Sequence, residues 1–157
     1  MNASQHRSPL HAYLAGQGSD GRGRTIEDVL ALPDEALERI HDYIQWLFPL
    51  PTRSMAQPGA PVLTPDEIAS IRADEQAIAN LRRAAERMRR FYERTDDWLS
   101  PHDHNHLRIT RILQSLRLLA GESDARVFHQ AVMIRQQASG SPVNRQSLAY
   151  WERAVGG

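Results

Sequence analysis

The sequence predicts an all-α protein, a single-domain bundle of six or seven helices with a central buried helix around residues 105–120. Three observations predict it. Apolar residues recur every three or four positions through most of the chain beyond residue 25. Helix-start signals precede these runs, and Gly or Pro closes most of them. No segment of four to eight residues alternates convincingly as a strand. The length of 157 residues fits one domain.

Residues 1–10 read as a flexible N-terminus, and 11–155 as the helical domain. Up to residue 24 periodicity is weak, so a loop is expected, with one turn of structure around Tyr13 and Leu14. Thr25-Ile26-Glu27-Asp28 resembles a capping box, and Pro33 ends that helix. Asp34 reads as the N-cap of the next helix. Its apolar positions Leu37, Ile40, Tyr43, Ile44, Leu47 and Phe48 form one stripe, stopped by Pro49 and Pro51. Residues 50–63 read as a linker longer than the usual loop. Thr64-Pro65-Asp66-Glu67 is the clearest start signal: a capping threonine, Pro at the first helical position, and Glu at N3. An offset near Asp74 divides the stretch up to Leu99 into two helices. The second carries Ile78, Leu81, Ala85, Met88 and Tyr92, and Ser100-Pro101 breaks it.

Asp103 can cap a helix running to about Ala120, with Gly121 as its stop. Its residues Ile109, Ile112, Leu113, Leu116, Leu119 and Ala120 share one face, while Leu107 and Leu118 fall nearly opposite. A helix apolar on two sides belongs inside a bundle. Arg108 and Arg111 lie between those faces and are expected to meet carboxylates, with Glu27, Asp28, Glu38 and Asp42 as candidates. A helix over roughly Ser123–Gln137 uses Val127, Phe128, Ala131, Val132 and Ile134. Gly140 to Pro142 is a turn, and a last helix buries Leu148, Trp151 and Val155.

Composition narrows the function. The chain has 19 basic and 19 acidic residues, so no global electrostatic pull toward nucleic acid or anionic lipid exists. All the basic residues are Arg, and Cys is absent, which excludes disulfides and thiolate chemistry. No run is long and apolar enough for a transmembrane segment or a signal-peptide core, and a cytoplasmic protein is expected.

Two dense blocks carry a resemblance. His41-Asp42-Tyr43-Ile44-Gln45-Trp46-Leu47-Phe48-Pro49-Leu50 and Asn105-His106-Leu107-Arg108-Ile109-Thr110-Arg111-Ile112-Leu113 resemble signature blocks of the opioid growth factor receptor conserved domain. Asp20-Gly21, Ala60-Pro61-Val62-Leu63-Thr64, Phe91-Tyr92 and Ser147-Leu148-Ala149-Tyr150-Trp151 resemble family positions in the same order. The resemblance spans about residues 11–155. It implies an α-helical domain and opioid-peptide receptor activity, with animal members in the nucleus and perinuclear region. The chain is expected to be a lone domain without the C-terminal repeat region of vertebrate members.

The resemblance transfers no catalytic residue. Matched positions outside the obvious core are His41, Gln45, Trp46, Asn105, Arg108 and Arg111. They are the candidate partner-binding residues, in a groove between the two blocks. His41 and Gln45, four apart, are expected to share a helix face. Trp46 lies off the stripe, which suits an interface or a second helix contact. The leading expectation is a non-enzymatic binding domain for a peptide or protein partner, without a cofactor.

Other signals are weighed against plainer readings. Arg82, Arg83, Arg87, Arg89, Arg90 and Arg94 form a basic helix face that could follow phosphates. Glu86 and Glu93 sit at pairing distance, so an ion-paired solvated face is favoured and nucleic acid is the alternative partner. His102, His104 and His106 are weak metal candidates: two are four apart, but a full ligand set is missing. Gly16-Gln17-Gly18-Ser19-Asp20-Gly21 has the letters of a dinucleotide loop without the strand before it, and reads as a turn. A GxSxG nucleophile elbow is absent.

Overall fold

The structure, a computed structural model, describes residues 7–156. The expected flexible N-terminus lies outside the described residues for positions 1–6. The described residues are helical, with no strand among them. They form nine helices rather than six or seven, because α1 forms where a loop is expected and the stretch over 34–48 is broken in two. The chain divides into two compact units, Met1–Ala84 and Ala85–Gly157.

The first unit holds α1 (Pro9–Leu14), α2 (Ile26–Leu30), α3 (Asp34–Arg39), α4 (Ile44–Leu47), α5 (Pro65–Arg72) and the first half of α6 (Glu75–Arg94). Helix α1 corrects the expected loop. Ser8 is its N-cap, accepting from the His11 N–H, and Pro9 occupies the first turn. Its start is tied to distant helix starts. The Ser8 hydroxyl donates to Glu67 Oε2 at 2.6 Å, and His11 Nε2 meets Asp74 Oδ2 at 2.8 Å. Both predicted boxes form: Thr25 with Asp28, and Thr64 with Glu67. Asp74 Oδ1 caps α6 by accepting from the Gln76 and Ala77 amides.

The helix expected over 34–48 is two short helices, preceded by Pro33 rather than Asp34 as N-cap. Ile40 is extended (ψ 133°), and the Tyr43 hydroxyl donates to the Leu37 carbonyl at 2.7 Å inside the core. That bond replaces helical turns across Ile40–Tyr43, while both the α3 and α4 apolar residues stay buried. His41 therefore sits in the break and shares no helix face with Gln45. The expected linker has anchored ends. Leu50 and Leu63 are buried, and the Leu63 amide donates to the Leu50 carbonyl at 2.9 Å.

In the second unit, α7 (Asn105–Leu119) packs against α8 (Glu122–Ala138) and α9 (Arg145–Ala154). The principal α7 face is buried as predicted. The opposite face is not: Leu107 is 71 % exposed, and only Leu118 is partly covered. On α8, Phe128 and Val132 are buried, whereas Val127 and Ile134 face solvent at about 60 % exposure. Periodicity marks apolar positions; it does not say how wide a strip the neighbours cover. Gly121 ends α7 with φ +119°, and its amide joins that of Ala120 on the Leu116 carbonyl.

Candidate functional site

The site begins with the loop at Asp20. Its buried carboxylate accepts from the Arg22 and Arg24 amides through Oδ1 and from Arg24 Nε through Oδ2 at 2.7 Å. This is an Asx-type turn, so the glycine-rich stretch is structural, as its plain reading has it. Arg24 extends to Asp42 Oδ1 at 2.8 Å, and Arg22 Nε donates to Asp42 Oδ2 at 2.8 Å. Burial opposes the charge on both Arg24 and Asp42. Their mutual hydrogen bonds prevail, raising the Arg24 pKa and holding Asp42 below the usual carboxylate range. This network pins the 20–24 loop to the residues that open α4.

A cleft of about 190 Å³ lies there, lined by Gly21, Arg22, Asp42, Gln45, Trp46, Gln57, Gly59 and Ala60. Trp46 is half-buried, and the Tyr13 ring meets it edge-on at 5.5 Å with a 67° interplanar angle. Tyr13 is fully buried; burial, then the Asp20 charge, raises its pKa, so the phenol stays protonated. Gln45 is 4 % exposed, and its Oε1 is buried without a hydrogen-bond partner among the described residues. A buried amide oxygen left so costs about 1–3 kcal/mol. The Trp46 indole N–H and the Gln57 side-chain amide likewise make no hydrogen bond among the described residues.

Three stretches that carry the family resemblance meet in this cleft: Asp20-Gly21, the 41–50 block, and the segment beginning at Ala60. Of the predicted site residues, Gln45 and Trp46 line it, and His41 is exposed beside it in sequence. Arg22, Gln57 and Gly59 escaped the sequence reading because loops bring them in.

The 105–113 block lies in the second unit and is built differently. The Tyr92 hydroxyl donates to Asn105 Oδ1 at 3.1 Å, and Asn105 Nδ2 donates to Asp103 Oδ1 at 2.9 Å. His106, 3 % exposed, donates Nε2–H to the Trp98 carbonyl at 2.8 Å, leaving Nδ1 to face the Ser147 hydroxyl at 3.5 Å. Trp151 Nε1 donates to the His106 carbonyl at 3.0 Å. Arg108 is buried and Arg111 half-buried; burial pushes the Arg111 pKa down to about 10. Three of the acids considered for them are engaged elsewhere. Glu27 forks with Arg83, Asp28 completes its capping box, and Asp42 holds Arg22 and Arg24.

His102, His104 and His106 line one pocket of about 480 Å³ with Leu107, Ser147 and Tyr150. Their ring nitrogens do not gather within 4.8 Å as a ligand set. Both nitrogens of His106 already face protein groups, which leaves it poorly placed for a metal. Along α6 two arginines of the basic run are ion-paired. Arg83 forks with Glu27 at 2.5 and 2.9 Å, and Arg89 bonds both Glu86 and Glu93. Arg87 is 9 % exposed and so is withdrawn from any phosphate-facing surface, while Arg82, Arg90 and Arg94 are exposed.

Among the described residues no helix is long and apolar enough to cross a membrane. No solved structure matches the chain. Curated relatives do. The opioid growth factor receptor of Rattus norvegicus is 35 % identical over 138 residues, covering 72 % of this chain and 22 % of the relative. The receptor of Homo sapiens is 33 % identical over 162 residues, covering 85 % and 23 %. Opioid growth factor receptor-like protein 1 of Mus musculus is 37 % identical over 106 residues, covering 57 % and 23 %. The chain thus spans less than a quarter of the length of these relatives. The family profile described as the opioid growth factor receptor (OGFr) conserved region matches residues 4–97, which takes in the whole cleft and stops short of the 105–113 block. By that match and those relatives, the chain belongs to the opioid growth factor receptor family.

Proposed function

We propose that the chain is a non-enzymatic recognition domain that binds a peptide or a segment of a protein partner at the cleft beside Trp46. The observation that carries this reading is the buried Gln45 Oε1, without a hydrogen-bond partner among the described residues, in the wall of a cleft where three family-like stretches meet. Native proteins satisfy nearly all buried polar atoms. A peptide offers main-chain N–H donors that could reach such an amide once it reorients, and a half-buried indole supplies an amphipathic contact surface. The relatives' name, opioid growth factor receptor, makes an opioid peptide the first ligand to try.

The test is titration of the full chain with Met-enkephalin and with a random peptide library, with Trp46→Ala and Gln45→Met alongside. Saturable binding that falls at least about tenfold in Trp46→Ala supports the reading. Binding that ignores both substitutions, or no saturable binding at all, removes it.

A further inference from the structure

The cleft's hydrogen-bonding groups are unevenly committed. Its one carboxylate, Asp42, is engaged at both oxygens, with Oδ1 accepting from Arg24 and Oδ2 from Arg22. Arg22 uses only Nε for that bond. Its two terminal nitrogens make no hydrogen bond among the described residues, and the side chain is 75 % exposed. Asp42 therefore steadies the inner edge of this guanidinium and leaves the outer edge available. Beside it stand two more uncommitted donors, the Trp46 indole N–H and the Gln57 side-chain amide. The side-chain acceptors left over are the amide oxygens of Gln57 and of Gln45, the latter buried until its amide turns, and both are neutral. A guanidinium edge matches a carboxylate bidentately, and charge-assisted bonds of that kind exceed neutral ones in strength. A volume of about 190 Å³ suits one end group rather than a whole peptide.

We infer that the cleft is a carboxylate subsite, in which the outer edge of Arg22, flanked by the donors of Trp46 and Gln57, receives the C-terminal carboxylate of a bound peptide. The inference rests on the reading of the cleft as the peptide site. A C-terminus joins the two chemistries present here, since its carboxylate suits the donors and the amide N–H before it suits Gln45. An internal Asp or Glu side chain offers the same anion without the chain end.

The test uses the full chain labelled with nitrogen-15 and follows the Trp46 indole N–H, identified by its loss in Trp46→Phe. Acetate and acetamide are titrated first. Three short N-acetylated peptides are titrated next: one with a free C-terminal acid, its C-terminal amide, and an amidated peptide with an internal Glu. The expected result is a saturable shift with acetate but not acetamide. The free acid should bind at least about tenfold more tightly than its amide, and Arg22→Gln should abolish that preference. Arg22 is exposed and its bond to Asp42 is a surface ion pair, so this variant should stay folded and melt within a few degrees of wild type. Equal binding of acid and amide, both lost in Trp46→Ala, overturns the carboxylate subsite and leaves the peptide reading standing. Preference for the internal-Glu peptide overturns the assignment to a chain end. An acetate response with no peptide binding removes the peptide reading and keeps the anion site. No response to any probe overturns both.

Discussion

In the two blocks that stand out in the sequence, 41–50 and 105–113, the amide side chains Gln45 and Asn105 are used in opposite ways. At the start of α7 the polar groups of Asn105 and His106 are tied to Tyr92, Trp98 and Trp151 in a buried shell and to the half-buried Asp103. At α4 the buried amide oxygen of Gln45 and the indole N–H of Trp46 are left without bonds among the described residues, at the edge of a cleft. The start of α7 commits its amide and imidazole to the fold, while α4 holds an amide oxygen and an indole N–H in reserve. Composition alone does not separate these cases, since both blocks carry aromatic, amide or His residues. What separates them is whether the neighbouring chain supplies partners.

That contrast can be broken at several points. The largest effect belongs to the second unit. Trp151→Ala empties a fully buried indole site and removes the bond to the His106 carbonyl, and should cost about 3–5 kcal/mol in urea unfolding. In the first unit the nearest equivalent is Asp20→Ala, which strips two loop amides and the Arg24 guanidinium of their acceptor. A loss of about 3 kcal/mol is expected, and the cleft should disorder with it. Asn105→Leu should cost about 2 kcal/mol, because the buried bond from the Tyr92 hydroxyl to Asn105 is lost. A loss under about 0.5 kcal/mol would show that the α7 start is not committed as described.

Acid should sharpen the comparison further. Asp42 and Asp74 hold their folded pKa values below the ordinary 3.8; burial opposes this, but hydrogen bonds from Arg24 and Arg22 in one case, and from His11 and the Ala77 amide in the other, prevail. A depressed carboxylate contributes stability above its unfolded pKa and loses it as pH falls through the folded pKa. Glu86 and Glu122 of the second unit are also held low by arginines, but both are exposed and solvent-screened, so the first unit should lose its NMR signals at a higher pH than the second as pH drops below about 4, and Asp74→Asn should flatten that dependence. The smallest effect on stability is Gln45→Met. Replacing an amide whose oxygen is unbonded with an apolar side chain of similar volume should leave melting unchanged or slightly raised. Peptide binding should fall in the same variant. A clear destabilisation would place Gln45 with Asn105, among the residues the fold needs.

The fold was legible where its determinants are local. Thr25 with Asp28 and Thr64 with Glu67 announce their helices within four residues, and both boxes form. Helix α1 was hidden because its support is distant. Ser8-Pro9 has the form of a start, but six residues make a marginal helix without Glu67 and Asp74. The break at Ile40 was hidden because the stripe from Leu37 to Phe48 is largely preserved in burial, while the Tyr43 bond to Leu37 interrupts the helix. Of the site, Trp46 was visible as an aromatic off the stripe. Arg22, Gln57 and Gly59 were not, since loop residues carry no periodicity to betray where they gather.

The links from α1 to Glu67 and Asp74 also set an order of events during synthesis. Ser8 and His11 stand 59 and 63 residues ahead of those carboxylates. A ribosome delivers the chain at roughly 5–20 residues per second, so several seconds pass before α1 can meet what anchors it. Until then α1 waits without its anchors, and only the arrival of Asp74 lets it close onto the start of α6.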